Sequence, residues 1–151
     1  MMKLQDILSQ DCTYCAVHAA SKKRILEKLS AIAANKISEL TQQELLNSLM
    51  QREKLGSTGI GNGIAIPHGR LSKTNTVIAV LMTTDQAIAF DAIDQRPVDI
   101  FIALFVPEAL CKEHLSTLQS IAKLFKNKQI TKQIRKCQDD EQLYHLITQE
   151  V

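Results

Sequence analysis

His68 stands at the end of a glycine-rich segment and is the residue best placed to do chemistry. All five glycines of the 151 residues lie between Gly56 and Gly69. Glycine permits positive φ and lets a ligand approach the main chain closely, so an unusual backbone is expected there. Pro67 fixes its own φ and pushes Ile66 toward an extended conformation. A short, stiff apolar strand is therefore predicted to present His68 on a glycine turn.

The chemistry open to this histidine depends on what the loop can bind. One interpretation is an incidental histidine in a flexible loop, since many histidines have no special role. In the other, backbone N–H groups of the loop hold an anion. The segment has neither the Gly-Lys-Ser/Thr ending of a P-loop nor a G-x-G-x-x-G spacing, so an ordinary nucleotide site is not expected. A neutral imidazole is a nucleophile near pH 7, and a phosphoryl group carried by His68 itself fits better.

The segment resembles the phosphorylation-site signature of the mannitol/fructose/nitrogen class of phosphotransferase-system enzyme IIA domains. The signature positions are filled by Glu53, Ile60, Gly61, Ile64, Ala65, Ile66, Pro67, His68 and Gly69. The wider run from Arg52 to Gly69 is most similar to the nitrogen-type branch. The likeness extends over nearly the whole chain.

A phosphoryl group on His68 needs hydrogen-bond donors around its equatorial oxygens. A cation is expected among them, because charge-assisted bonds to phosphate are about twice as strong as neutral ones. Arg52 is the candidate that the resemblance supports, although by sequence alone it could be a solvated surface residue; Arg70 is a weaker candidate. The resemblance also implies that His114, near the start of a predicted helix, lies beside His68 and helps to hold phosphate. Its alternative is a surface helical histidine.

The remaining phosphate-binding candidates are in the loop itself. The hydroxyl groups of Ser57 and Thr58 could donate to phosphate, or they could cap the backbone of the loop. The amides of the glycine turn, with Gly69 included, are the other donors expected.

The spacing of Cys12, Cys15 and His18 invites a metal interpretation, but zinc sites need four ligands, usually two spaced pairs. Cys111 and Cys137 are isolated in the sequence. We therefore expect no metal at these residues and core positions for Cys12 and Cys15. The resemblance implies no metal, nucleotide or tightly held cofactor. His145 is expected on a helix surface.

Composition limits the class of protein. A net charge of +2 with no dense basic run gives no support for a nucleic-acid partner, and aromatic residues are only 4%. No apolar run approaches the roughly 20 residues of a membrane helix, and the N-terminus has no signal-peptide core. A cytoplasmic protein with free thiols and no membrane insertion is expected.

The elements that must position these residues follow from hydrophobic periodicity and helix caps. Helices are predicted as a short turn at 4–8, at about 21–34, from a capping box at Thr41 to before Gly56, and at about 112–126, 128–136 and 140–149. Strands are predicted at 12–17, 64–66, 76–83, 88–90 and 98–106. This order predicts one α/β domain over 1–151, with a mixed β-sheet flanked by helices.

The resemblance implies a nitrogen-type enzyme IIA. Such a protein is a mainly regulatory phosphotransferase that takes phosphate from an HPr-like carrier, itself fed by enzyme I and phosphoenolpyruvate. Regulated partners, such as potassium-transport or sensor-kinase components, are implied in the same way. Two alternatives stay open: a sugar-specific fructose- or mannitol-type enzyme IIA passing phosphate to a IIB protein, and a non-transferring binding module of the same fold.

Overall fold

The computed structural model describes residues 3–149, and within that range it has six β-strands and six α-helices. The strands are β1 (Leu8–Val17), β2 (Gly59–Gly61), β3 (Ile64–Ala65), β4 (His68–Leu71), β5 (Ile78–Ile88) and β6 (Val98–Pro107). The helices are α1 (Leu4–Ile7), α2 (Lys22–Ala34), α3 (Gln42–Glu53), α4 (Leu115–Phe125), α5 (Lys128–Lys136) and α6 (Asp140–Gln149). A short 3₁₀ turn, Glu108–Leu110, follows β6.

The strands form one mixed sheet in the order β1-β5-β6-β3-β2, with β4 also paired to β6. Strands β5 and β6 are antiparallel neighbours at its centre, and β1 lies parallel to β5. Helices α2 and α3 pack against each other, α2 also contacts β5, and α6 packs against β1. The predicted α/β class, a mixed sheet flanked by helices, is confirmed.

Strands β3 and β4 together form one interrupted strand along β6. Ile64 pairs with Ile100, and His68 pairs four residues further on with Leu104, both in parallel register. The break falls at Pro67, which has no N–H to donate, while its carbonyl still accepts from Leu104 at 2.9 Å. His68 is therefore fixed to the central strand of the sheet from both sides of the break.

The central strands are buried on both faces, as their continuous apolar sequences predict. Every residue from Ile100 to Phe105 is at most 1% exposed. Phe90 and Phe101 make an edge-to-face contact at 5.4 Å between ring centroids. This packing gives the histidine-bearing strand a rigid support.

The helix caps predicted from sequence are present. Ser21 Oγ accepts from Arg24 N at 3.2 Å at the start of α2. Thr41 Oγ1 accepts from Glu44 N at 3.1 Å, and the Glu44 carboxylate accepts from Thr41 N at 3.1 Å, which completes the capping box of α3.

Several predicted boundaries are wrong. The separate strand at 88–90 does not exist: a bulge between Thr83 and Ile88 accommodates polar residues, and β5 continues until Ile88 pairs with Val98. The helix predicted from 112 begins at Leu115, because the 3₁₀ turn and an irregular turn come first. Strand β1 begins at Leu8, earlier than expected, and β2 and β4 were not predicted.

Candidate active site around His68

The His68 ring is held by two hydrogen bonds of opposite kinds. Its Nδ1 lies 2.8 Å from the carbonyl oxygen of Ile66, which can only accept. Arg52 Nε, which can only donate, lies 3.1 Å from His68 Nε2. These partners assign the neutral tautomer with the proton on Nδ1. The free lone pair, and hence the nucleophilic atom, is Nε2.

The surroundings favour this neutral form. Burial lowers the pKa of His68 below its usual 6.5, and the positive charges of Arg52 and Arg70 act in the same direction. The Ile66 carbonyl and the Glu53 carboxylate oppose the shift but do not reverse it. The ring is therefore an available nucleophile at and below neutral pH.

Arg52 reaches His68 from the last turn of α3. Its Nη1 also donates to the carbonyl oxygen of Gly56 at 2.8 Å, so the guanidinium bridges the loop and the imidazole. Arginine presents five donors in a planar fork that suits phosphate oxygens. The side chain is already placed to exchange its bond with Nε2 for a bond to an oxygen bound there.

Gly69 allows α3 to approach β4 this closely. A Cβ at Gly69 would overlap Ser48 Oγ and lie 2.9 Å from Ser48 Cβ and 3.2 Å from Ser48 C. Ser48 Oγ instead donates to the carbonyl of Arg70 at 3.1 Å. Ser48 and Arg52 are four residues apart and share one face of α3, so this close contact also brings Arg52 to His68. Ser48 was missed from sequence; its signal is a small residue one turn before the arginine.

His68 lies in a cleft of about 400 Å³. Its charged and polar lining includes Arg52, Arg70 and His114, and its apolar wall includes Leu104, Val106, Cys111 and Leu118. Two leucines at the cleft are strongly exposed: Leu55 by 85% and Leu115 by 55%. The apolar wall was not predicted, because those residues come from β6 and α4 and only the fold brings them together.

His114 lies at the N-terminus of α4, where it is the cap residue and only 8% exposed. Its Nδ1 is 3.4 Å from the hydroxyl oxygen of buried Thr117. The structure therefore brings His68, Arg52 and His114 into one cleft. The amide groups at the start of α4 make its end favourable for an anion.

Ser57 and Thr58 bond within the protein. Ser57 Oγ donates to the carbonyl of Phe90 at 3.0 Å and accepts from Gly59 N at 3.0 Å. The Thr58 hydroxyl donates to the Glu53 carboxylate. The backbone-capping alternative describes Ser57, and Thr58 makes a side-chain contact that neither alternative foresaw.

The described residues contain no group of three or more His, Cys, Asp or Glu side chains placed to hold a metal ion. Cys12 is fully buried, as expected, while Cys15 is only partly buried, with its Sγ 3.2 Å from the Cys137 carbonyl oxygen. His145 is exposed on α6, as predicted. Among helices within 3–149, none is long and apolar enough to cross a bilayer.

The mixed sheet thus presents a neutral histidine beside an arginine in a cleft. The family described as "Phosphoenolpyruvate-dependent sugar phosphotransferase system, EIIA 2" matches residues 6–150, and the chain belongs to this family.

Within the family, two nitrogen-type proteins are similar to nearly the whole chain. The chain is 47% identical to the nitrogen regulatory protein of Escherichia coli K12 over 148 residues, 97% of this chain and 90% of that protein. It is 46% identical to that of Klebsiella oxytoca over 149 residues, 98% of this chain and 91% of that protein.

Solved structures agree on the fold. The nitrogen regulatory protein IIA-Ntr of Neisseria meningitidis has a TM-score of 0.87 at 32% identity, covering 95% of this chain and 98% of that one. Mannitol IIA of E. coli has a TM-score of 0.71 at 15% identity over 97% of this chain and 99% of that one, which shows the fold alone. The predicted family and the nitrogen-type likeness are confirmed.

Proposed function

We propose that this protein accepts a phosphoryl group on His68 Nε2 from an HPr-like histidine phosphocarrier, and regulates partner proteins according to its phosphorylation state. One observation carries the proposal. The Ile66 carbonyl holds the proton on Nδ1, so the Nε2 lone pair points toward Arg52 in the cleft. Membership of the enzyme IIA family supports the same chemistry.

The transfer step is an in-line displacement. The Nε2 lone pair of His68 forms a bond to the phosphorus of a donor phosphohistidine, and the donor's P–N bond breaks with its electron pair returning to the donor imidazole. Nδ1 of His68 keeps its proton and its bond to Ile66, so the phosphorylated ring carries a positive charge. The donor ring, protonated in the same way before transfer, leaves as neutral imidazole. Arg52 exchanges its contact with Nε2 for the phosphoryl oxygens, which carry the charge. His114 is a further donor in this proposal. The Gly69 amide is not used, because β4 pairs with β6 at this position.

The donor protein would dock over the cleft. Exposed Leu55 and Leu115 offer apolar contact at its edge, while Arg70 adds positive charge. The phosphoryl group then places about −1.5 to −2 charges at that surface, partly offset by the protonated ring, and this change is large enough to alter which partner binds. Regulated potassium-transport or sensor-kinase components belong to this proposal through the nitrogen-type likeness.

The test is incubation of the protein with enzyme I, its HPr-like carrier and labelled phosphoenolpyruvate. Label should appear on His68 and be lost in acid, as expected for a phosphoramidate. His68→Ala should take up none, while His145→Ala, which removes an exposed histidine far along the chain, should match the wild type. Acid-stable label, or label retained in His68→Ala, would overturn the proposal.

A sugar-specific role is the second candidate function. The chain is 24% identical to the fructose-specific EIIABC component of Bacillus subtilis over 98% of its own length, but only 23% of that protein is covered. The nitrogen-type relatives, at 46–47% identity, favour the regulatory role. Rapid transfer from phosphorylated protein to a fructose- or mannitol-type IIB protein would reverse that preference.

A further inference from the structure

Lys22 and Glu53 form an ion pair behind the candidate active site. Lys22 Nζ lies 2.8 Å from Glu53 Oε2, and the two side chains are 24% and 7% exposed. A carboxylate this deeply buried is costly unless it is paired and hydrogen-bonded. The pair joins the first residue of α2 to the last residue of α3, next to Arg52 in the sequence.

A continuous series of hydrogen bonds leads from this pair to the imidazole. The Glu53 carboxylate accepts from Thr58 N at 3.1 and 3.3 Å, and also from the Thr58 hydroxyl. The Thr58 carbonyl accepts from Ile66 N at 3.0 Å, and the Ile66 carbonyl accepts from His68 Nδ1 at 2.8 Å. Each link is short, so a shift of Glu53 is transmitted to the ring.

Lys22 is itself held in place from several directions. Its ammonium donates to the carbonyl of Phe90 at 3.3 Å and lies 4.4 Å from the centroid of the Phe90 ring. The same carbonyl accepts from Ser57 Oγ, at the start of the loop. These contacts explain why a lysine in the first turn of α2, where the helix dipole opposes it, is nonetheless favourable.

The charge of Glu53 also matters to the transfer step. The carboxylate is close enough to His68 to raise its pKa, against the effect of Arg52 and Arg70. His114 and Cys111 are the other titratable groups lining the cleft. Without a cation, the same carboxylate would repel an incoming phosphoryl group. The ammonium of Lys22 offsets the negative charge of the Glu53 carboxylate by direct contact with it.

We propose that Lys22 is a positioning residue for phosphoryl transfer: it neutralises Glu53 and anchors the hydrogen-bond series that fixes the His68 ring. This inference deepens the proposed function and rests on it for the transfer step alone. The geometry predicts an effect on His68 whether or not the donor protein is present, so the two can be tested separately.

The first experiment follows the His68 ring protons by NMR during a pH titration of unmodified protein. Lys22→Met should raise the pKa of His68 by about half a unit or more, because the Glu53 charge is no longer offset. Lys23→Met is the matched control, since it removes the same charge from an exposed neighbour on α2. Equal His68 pKa values in the two variants would overturn the proposal, even if His68 proves to be phosphorylated normally.

The second experiment measures the rate of phosphorylation by the carrier. Lys22→Met should reduce kcat by about three- to tenfold with a smaller change in KM, and Lys22→Arg should recover most of the rate. In a Glu53→Gln background, Lys22→Met should have little further effect, because no buried charge remains to be offset. An undiminished effect in that background would contradict the charge role.

The double variant also covers the case in which Lys22→Met does not fold. Lys22→Met/Glu53→Gln leaves no unpaired buried charge, so it should fold and be phosphorylated at about the rate of Glu53→Gln alone. A double variant that folds but transfers far more slowly than Glu53→Gln would overturn the proposal. If wild-type protein takes up no phosphate while the NMR shift is present, the proposed function fails and the positioning role stands.

Discussion

Arg52 donates a hydrogen bond to the lone pair of His68 Nε2, which is the lone pair that the proposed reaction needs. Its Nε donates to His68 Nε2, so the guanidinium must move off the ring when a phosphoryl group arrives. Its second bond, to the Gly56 carbonyl, keeps it within reach while it does so. In the unmodified protein this hydrogen bond therefore covers the nucleophilic Nε2 and keeps the guanidinium beside the atom that reacts.

Removing this guanidinium should slow transfer sharply. A hydrogen bond to a charged group contributes about 1.5 to 3 kcal/mol, so Arg52→Ala should lower the rate by about tenfold to a hundredfold. Lys54→Ala, which deletes a nearby exposed cation, is the matched control and should change the rate little. The measurement is the rate of phosphorylation by the carrier in each variant. Equal losses of rate in the two variants would show that Arg52 has no special role in the site.

The lowered pKa of His68 predicts a specific pH dependence of stability. In unfolded chains this histidine binds a proton as pH falls through about 6.5, whereas the native ring stays neutral to lower pH. The unfolded state therefore binds more protons in that window, and the free energy of unfolding should fall as pH drops from about 6.5 toward the native pKa. Chemical denaturation across this range should show a smaller slope in His68→Gln than in wild type. An equal slope in the two proteins would contradict the lowered pKa of His68.

At the scale of elements, the site depends on how closely α3 lies against β4. Only hydrogen fits at Gly69 because the Ser48 side chain and backbone fill the space. Arg52 lies one turn beyond Ser48 on α3, so the distance between α3 and β4 determines whether its guanidinium can contact His68. Spacing between elements, and not only side-chain identity, thus determines the site.

Gly69→Ala should therefore damage both stability and transfer. Forcing a methyl group into filled space typically lowers the free energy of unfolding by about 1 to 3 kcal/mol. If α3 moves outward to make room, Arg52 also loses its contact with His68. Thermal unfolding and phosphorylation rates measure the two effects. Ser48→Gly combined with Gly69→Ala should recover part of the rate, since it removes the Ser48 side-chain overlap. A Gly69→Ala protein with wild-type stability and rate would show that the contact is looser than described.

The sequence predicted the elements that have strong periodicity or caps, and it missed those created by pairing. Helices α5 and α6 and the caps at Ser21 and Thr41 follow from local patterns. Strand β4 could not be predicted from His68-Gly-Arg-Leu71, because only pairing with β6 makes that short polar segment a strand. Within the site, the glycine segment identified His68, and the resemblance pointed to Arg52 and His114. Lys22 acts through residues distant in the sequence and gave no local signal, and the signal for Ser48 is only a small residue one turn before Arg52.

At the scale of the whole molecule, one phosphoryl group removes a large part of the net charge that the protein carries. The net charge is +2 at pH 7. The phosphoryl group carries about −1.5 to −2, and the proton kept on Nδ1 gives the ring a positive charge, so the net charge falls by about 0.5 to 1 unit and stays positive. The modified protein should migrate more slowly toward the cathode in native electrophoresis at pH 7. Phosphoenolpyruvate, enzyme I and the carrier together should produce this shift in wild type and not in His68→Ala. An unchanged mobility in protein that is labelled would contradict the charge argument.

His68 is attached, through Pro67 and β4, to the central strand of a sheet buried on both faces. Such strands are among the last parts of a domain to open, so the amides facing β6 should exchange slowly with solvent in either covalent state. A phosphoryl group on His68 is therefore not expected to change the conformation of the backbone around it. Any partner protein that responds to the phosphoryl group must therefore contact the new charge directly. The affinity of that partner should depend on ionic strength, because salt screens interactions between surface charges.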